Sequence, residues 1–433
     1  MKLEEAPRLA RSIENNVVSP VDTDAGTSMK KLPRQKKSAR YLDQFKDFDF
    51  SKCVPPDSPS IQYVDFFAGC GGMSYGFHRA QMATDRVRNV GAFDINEHAN
   101  KTYTENYGVV PSTLNLENAT INKIMKVMAS NGYSAKEPLI LIGCAPCQGF
   151  SSHRKKDSRK DERNSLVGRF AEIAVGLKAD IIVMENVPDL LASKHEHHFK
   201  EFYDTVKKAG YHVTVKIVNM AEYGVPQARF RTLVLASKLF APSLPPKSFL
   251  KGAFTTVRDA IFHLPSLKAG ETCAKDALHV TSKHRAETVE ILKQVPSDGG
   301  SRPIGVGPGC LDRVAGFYDV YGRLSWDKPS ITITARCRTP SCGRFVHPEQ
   351  HRGLSVREAS LLQGFPPDFK FIGPFDDKFK QIGNAVPPLF SLQLSRHILG
   401  LLNGVSEPLK CEDASTGKPF KSFSSLIAHV KNK

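Results

Sequence analysis

The chain has 433 residues, of which 40% are hydrophobic, so it can form one large globular domain and a smaller one. Its formal net charge of +16 exceeds what an enzyme of small metabolites needs and indicates a polyanionic partner, most simply nucleic acid, although a merely basic surface is an alternative. Nine irregularly spaced cysteines argue against a disulfide framework, and no apolar run approaches the ~20 residues of a membrane span.

The N-terminal residues 1–60 are predicted to be a flexible basic tail. They are polar and contain a run of lysines and arginine over residues 30–37. Such a run can contact phosphates or serve as a nuclear address, and a solvated disordered tail is equally compatible with it. Since the first residues also lack an apolar signal region, we expect an intracellular protein, in the nucleoid-containing cytoplasm of a bacterium or in a eukaryotic nucleus.

Alternating strands and helices are predicted from residue 61 to residue 240. Strands are expected at residues 61–67, 90–93, 139–143, 181–184 and 211–217, with a further strand through Leu235. Helices are expected at residues 166–177 and around residues 199–206. This alternation predicts the α/β class with a doubly wound, Rossmann-like sheet.

A cysteine and a glutamate follow two successive buried strands of this region. Cys147 comes after the strand at residues 139–143, and Glu185 comes after the strand at residues 181–184. A strand, a helix and a second strand form a right-handed parallel unit, and both strand ends meet at one edge of the sheet. The pattern therefore predicts a nucleophile and an acid in one pocket.

The periodicity weakens after residue 240, where prolines cluster. Residues 241–351 are predicted to form a second, smaller domain, rich in strands and loops. Regular structure returns in residues 352–402, with a capping box at Ser355 and Glu358 and a final helix that Pro388 opens. Residues 403–433 are expected to be a loosely ordered tail.

Three groups of residues resemble metal or redox sites. Cys144 and Cys147 are spaced as a redox or zinc pair, but no second pair follows, so a packed Cys144 thiol is favoured. The set of Cys337, Cys342, His347 and His351 has a middle gap far shorter than that of a zinc finger. The histidines at positions 195, 197 and 198 are expected to be exposed. We expect no metal site.

Six motifs in order make the chain similar to the cytosine-C5 DNA methyltransferase family. They are Phe67-Ala68-Gly69-x-Gly71-Gly72, Pro146-Cys147-Gln148, Glu185-Asn186-Val187, Gln227-x-Arg229-x-Arg231, Arg357-Glu358-Ala359 with Gln363-x-Phe365-Pro366, and Gln381-Ile382-Gly383-Asn384-Ala385-Val386-Pro387-Pro388. The resemblance implies that residues 61–240 and 352–402 bind the cofactor and do the chemistry. It also implies that residues 241–351 are a target-recognition domain.

The resemblance assigns roles in catalysis. Cys147 would add to C6 of cytosine, because a soft thiolate nucleophile makes C5 reactive toward a methyl donor. Glu185 would hold N3 and the exocyclic amine, and burial suits a carboxyl to that role. Arg231 would contact the base. Arg229 is counted among the catalytic residues, but a structural role is favoured for it. Their spacing with Gln227 predicts one face of a strand for all three.

The implied methyl donor is S-adenosyl-L-methionine. Asp94 would accept the ribose hydroxyls, Ile95 would pack on the adenine, and Asn115 stands where the family often has an acid. The residues expected to line the cofactor site are Phe67, Ala68, Gly69, Gly71, Gly72, Asp94, Ile95, Asn115, Pro146, Asn384 and Val386.

The implied partner is double-stranded DNA, bound by a monomer with the target base flipped out. Expected DNA contacts in the loop after Cys147 are Gln148, Ser151, Arg154, Lys155 and Arg163, with solvated surface as the alternative. In the smaller domain, the candidates are Arg336 and Arg338, in a basic region with Arg323 and Lys328.

Two other functions are alternatives for this sequence. An RNA cytosine methyltransferase would use the same fold, but the Cys-Phe-Thr signature of the tRNA-modifying relatives is missing. A catalytically silent DNA-binding regulator is disfavoured by the intact set of Cys147, Glu185 and Arg231.

Overall fold

A six-stranded sheet forms the centre of the larger lobe. The structure, a computed structural model, describes residues 41–46, 48–146, 166–313, 318–406 and 423–431. The strands of the sheet are β1 (Ile61–Phe66), β2 (Val87–Phe93), β3 (Leu139–Gly143), β4 (Ile181–Asn186), β5 (His212–Asn219) and β6 (Phe230–Ser237). Their spatial order is β2-β1-β3-β4-β6-β5. The neighbours from β2 to β4 pair in parallel, and β6 runs antiparallel to both β4 and β5.

Helices cover both faces of this sheet, which confirms the predicted fold class. In chain order they are α1 (Ser74–Thr84), α2 (Glu97–Tyr107), α3 (Ile121–Ser130), α4 (Leu166–Gly176) and α5 (Glu196–Lys208). Every residue of β3 and β4 is buried, because these strands are covered on both sides. Ile140 and Ile142 belong to one core cluster and Leu139 and Leu141 to the other, as side chains alternate along a strand.

The region after β6 contains short elements. They are α6 (Val257–Ile261), β7 (Thr272–Cys273), β8 (Asp276–Val280), α7 (Ala286–Gln294) and α8 (Cys310–Arg313). The region was expected to be rich in strands and loops. The loops are present, but the expectation of strands was wrong, since β7 and β8 are the strands that the structure gives to the described part of this region. A separate small core of Leu292, Val295, Val320, Tyr321 and Val346 packs inside it.

Three further helices return to the larger lobe: α9 (Val356–Leu362), α10 (Phe375–Asn384) and α11 (Pro388–Leu402). The predicted capping box is present, because the Ser355 side chain accepts from the Glu358 N–H and the Glu358 side chain accepts from the Ser355 N–H. None of the helices in the described ranges has an apolar stretch long enough to cross a bilayer.

Both chain ends contain packed segments where tails were expected. Tyr41, Phe45 and Phe50 are buried, and the Tyr41 hydroxyl donates to the Leu361 carbonyl at 2.5 Å. A last helix, α12 (Phe423–Lys431), packs beside α5. The expectation of a tail was therefore wrong for residues 41–60 and for α12, because apolar side chains of these segments join the two cores.

Candidate active site

The carboxyl ends of β1, β3 and β4 lie side by side at one edge of the sheet. Phe66 is paired with Gly143, and Gly143 is paired with Met184. The turn after β1, Pro146 after β3 and Glu185 at the end of β4 therefore meet at this edge. Cys147, Gln148, Ser151, Arg154, Lys155 and Arg163 lie outside the described residues.

Glu185 forms an ion pair with Arg231 at this edge. The Arg231 Nε lies 3.0 Å from the Glu185 Oε1, and their side chains are 12% and 9% exposed. The antiparallel pairing of β4 with β6 brings the two residues together, since Asn186 is paired with Thr232. Burial lowers the pKa of Arg231, and the Glu185 carboxylate opposes this effect. The pair places a carboxylate in fixed orientation where solvent screening is weak.

Asn186 ties β4 to the segment that precedes Cys147. Its Nδ2 donates to the Ala145 carbonyl at 3.2 Å, and its Oδ1 accepts from the Val187 N–H at 2.8 Å. Asn186 belongs to the Glu185-Asn186-Val187 motif, but the motif alone predicts no role for it. Its position directly after a predicted catalytic acid was the available signal.

Cys144 is a thiol at the end of β3, next to this edge. Burial raises the pKa of Cys144 well above its usual range. A protonated, packed thiol is therefore the state that the site favours, as the spacing argument expected.

Arg229 holds three backbone carbonyls that belong to two segments of the chain. It donates to the carbonyls of Ile333 at 3.1 Å, Gly383 at 3.3 Å and Ala385 at 3.3 Å. Burial lowers its pKa to about 9. These contacts describe a positioning residue, which was the favoured reading, and they give Arg229 no catalytic contact.

The expectation that Gln227, Arg229 and Arg231 share a strand face was wrong. β6 begins at Phe230, so the first two residues lie before the strand. The Gln227 side chain is buried and accepts from the Ile333 N–H at 2.8 Å. This segment runs beside residue 330 rather than in the sheet, which directs its side chains into the core.

The turn after β1 has a backbone that leaves space on one side. Phe67 and Gly69 have φ values of +56° and +54°. A Cβ at Gly69 would have no atom within 4 Å, whereas one at Gly71 would lie 2.1 Å from the Tyr107 ring and one at Gly72 would lie 2.2 Å from the Val386 carbonyl oxygen. Gly69 thus borders open space, and the other two glycines are required by packing.

Asp94 links this turn to α2. Its Oδ2 accepts from the Gly69 N–H and its Oδ1 accepts from the Asn96 N–H, both at 2.8 Å. Burial raises the pKa of Asp94, and the two N–H donors oppose that rise. A carboxylate has about four lone-pair sites, so Asp94 retains acceptor capacity for a ligand. Next to it, Ile95 is 70% exposed.

The remaining residues of the predicted cofactor set are spread along the same edge. Asn115 is exposed, and its Oδ1 accepts from the Glu117 N–H at 3.0 Å. Asn384 is exposed at the end of α10, and Val386 is buried under the glycine turn. Ala68 is buried, and Pro146 is partly exposed.

Two arginines of the basic region in the smaller domain, Arg323 and the candidate DNA contact Arg338, have protein partners. Arg323 is fully buried and donates to the carbonyls of Leu292, Val295, His347 and Gln350. Its suggested place in a DNA-contacting region was therefore wrong, because a guanidinium with four carbonyl acceptors stabilises this core. Arg338 forms an ion pair with Asp376 at 2.8 Å.

Other basic residues of the region remain accessible. Arg336 and Lys328 are exposed.

His195 was expected to be exposed, and this expectation was wrong. Its exposed fraction is 4%, and burial lowers its pKa to about 4.

Comparison with known proteins decides the family. Residues 61–399 match the model of the C-5 cytosine-specific DNA methylases. The chain belongs to this family. The predicted family and enzyme class, a DNA cytosine-5 methyltransferase, are confirmed.

Relatives from bacteria align over most of the chain. It is 32% identical to the type II methylase M.HgiDII of Herpetosiphon aurantiacus, over 79% of this chain and 96% of the relative. It is 30% identical to the type II methyltransferase M1.HphI of Haemophilus parahaemolyticus, over 78% of this chain and 87% of the relative. A DNA modification methyltransferase from an Escherichia coli prophage has a similar fold, with a TM-score of 0.63, 23% identity, and coverage of 79% of this chain and 100% of that chain.

Proposed function

We propose that the protein transfers a methyl group from S-adenosyl-L-methionine to C5 of a cytosine that is flipped out of duplex DNA. The observation that carries this proposal is the buried ion pair of Glu185 and Arg231, 3.0 Å apart at the sheet edge that Pro146 also reaches. A flipped pyrimidine needs a polar group for its hydrogen-bonding edge, and the pair supplies one.

The catalytic roles are assigned to three side chains. The Cys147 thiolate forms a bond to C6, so that C5 gains electron density and attacks the methyl group. Glu185 holds N3 and the exocyclic amine while charge moves onto the ring. Arg231 fixes the orientation of this carboxylate and contacts the base. The methyl transfer would leave S-adenosyl-L-homocysteine as the second product. Loss of the C5 proton to a water molecule and breakage of the bond between the Cys147 Sγ and C6 then restore the aromatic ring and the free thiolate.

The residues of the turn fit the methyl donor. Open space beside Gly69, the acceptor capacity of Asp94 and the exposed apolar side chain of Ile95 suit an amino acid part, a ribose and an adenine. Bound there, S-adenosyl-L-methionine supplies a methyl group on a sulfonium. Asn115 and Asn384 would complete the site at its two ends.

DNA is the proposed partner of the smaller lobe and of the basic sequence that follows Cys147. The net charge of +16 supports a polyanionic substrate. The protein would act as a monomer associated with cellular DNA. Arg336 and Lys328, both exposed, are the described basic residues that we propose to contact it.

Covalent trapping tests the proposal. Duplex DNA that carries 5-fluorocytosine, incubated with the protein and S-adenosyl-L-methionine, should yield an adduct stable to denaturation, because fluorine at C5 blocks release. Cys147→Ser should bind the same DNA but give no adduct. The absence of an adduct with folded wild-type protein would overturn the proposal, and an adduct with tRNA alone would redirect it to RNA.

A further inference from the structure

A short segment lies between the cofactor edge and the first turn of α3. It runs from Ser112 to Ala119 and carries Asn115. At its first end, the Asp94 N–H donates to the Ser112 carbonyl at 3.1 Å, so the segment starts beside the proposed ribose site. In its middle, the N–H groups of Glu117 and Asn118 donate to Asn115, which closes a turn.

Arg169 of α4 holds the other end of this segment. Its Nη2 donates to the Ala119 carbonyl at 2.5 Å, and its Nε donates to the Leu116 carbonyl at 3.3 Å. Its Nη1 pairs with Glu172 at 2.6 Å. One planar guanidinium thus bridges two backbone carbonyls, a geometry that an ammonium group cannot reproduce.

Packing below the guanidinium makes this contact stiff. Leu116 and Ala119 are buried in the same core cluster as Val167, Phe170 and Ile173 of α4. The exposed Asn115 therefore sits on a segment that is fixed at one end by Asp94 and at the other by Arg169.

We propose that Arg169 is a positioning residue for the methyl donor: by holding the carbonyls of Leu116 and Ala119, it sets the place of Asn115, one of the residues proposed to line the donor site. This inference rests on the proposed function. A binding site that is ordered before the ligand arrives loses less conformational entropy on binding, so release of the segment weakens affinity. The chemical step at Cys147 and Glu185 does not involve these contacts.

Titration calorimetry with S-adenosyl-L-homocysteine tests the inference directly. Arg169→Ala should raise the Kd roughly tenfold, since two charge-assisted hydrogen bonds are lost. The KM for S-adenosyl-L-methionine should rise by the same factor, whereas kcat at saturating donor should change less than about twofold. Arg169→Lys should give an intermediate Kd, because one ammonium reaches one carbonyl.

Two matched variants distinguish positioning from general stability. Glu172→Gln removes the ion pair but leaves both carbonyl contacts, so its Kd should equal that of the wild type. Arg344→Ala removes an arginine that also holds carbonyls, those of Gly299, Gly300 and Arg323, far from this segment in sequence. Its Kd should also be unchanged.

The outcomes separate the two levels of the proposal. Absence of binding to the wild type would overturn the proposed function itself. Binding to the wild type with an unchanged Kd for folded Arg169→Ala would overturn only the role of Arg169. If Arg169→Ala does not fold, a wild-type Kd for Arg169→Lys overturns the bridging of two carbonyls.

Discussion

At the scale of single residues, chemistry in this protein depends on which polar groups have protein partners. Arg229 and Arg231 are two positions apart, yet one holds three carbonyls and the other faces Glu185. Residue type alone does not separate these roles, because each guanidinium satisfies whichever acceptors the fold places within reach.

Replacement of Glu185 by glutamine should lower kcat by a factor of about 10²–10⁴, the usual contribution of a positioned acid. The amide keeps the shape of the side chain but removes the charge that pairs with Arg231. The measurement is methyl transfer to duplex DNA at saturating donor. Glu137→Gln, which removes the ion pair of Glu137 with Arg88 in a different part of the chain, should keep the wild-type rate.

His347 makes stability depend on pH. Burial lowers its pKa from 6.5 to about 4, with Glu358 opposing and the charges of Arg352, Arg323 and His279 assisting. The unfolded chain therefore takes up a proton at a higher pH than the folded protein does, so stability is lost as the pH falls from about 6.5 to about 4.

The variant His347→Asn should show a weaker loss of stability over this range, by roughly 3 kcal/mol for a shift of this size. In the wild type, the N–H groups of Glu349 and Gln350 donate to the His347 Nδ1, and the asparagine side-chain oxygen can accept the same two hydrogen bonds. Urea unfolding at several pH values measures the difference. Equal pH dependence in both proteins would contradict the assignment.

At the scale of elements, the strongest sequence patterns gave the correct structure. The apolar runs of β3 and β4 are buried on both faces, and the capping box at Ser355 opens α9. Where the sequence pattern was weak, the predicted structure was wrong. α12 was missed because its apolar residues are buried against side chains far away in the sequence, among them Phe199 and Tyr203 of α5.

Leu426→Ala in α12 should destabilise the protein by about 2–4 kcal/mol, as expected for a buried leucine. Leu426 is 1% exposed in the cluster that contains Phe199 and Tyr203 of α5. Denaturant unfolding gives the free energy. The exposed neighbour Ser424 provides the control, since Ser424→Ala should change stability by less than about 0.5 kcal/mol.

At the scale of the whole molecule, both the net charge and the internal contacts of the smaller lobe decide how many basic side chains are available to a polyanion. The formal charge of +16 attracts a polyanion without fixing its register. Several arginines of the smaller lobe have protein partners, so fewer side chains than the composition suggests are available for phosphates.

Affinity for duplex DNA should fall steeply with salt, by about a thousandfold between 50 and 200 mM if some six phosphates are contacted. Fluorescence anisotropy over a salt series gives the slope. Arg336→Ala should reduce this slope by about one if the exposed guanidinium contacts a phosphate. A flat response of the wild type would contradict the electrostatic reading of the charge.

The sequence by itself determined the buried strands of the larger lobe, the family, and the edge at which Glu185 and the glycine turn meet. The strands follow from local apolar periodicity, the family from the six motifs in order, and the common edge from the rule that parallel strands end at one side of the sheet. The tertiary structure decided which side chains are available there. In the folded protein, Arg323 and Arg229 donate to backbone carbonyls, and Arg169 donates to the segment that carries Asn115. Gly71 and Gly72 are required by close packing against neighbouring atoms. Such partners are distant in the chain, and only the folded arrangement brings donor and acceptor within hydrogen-bonding distance.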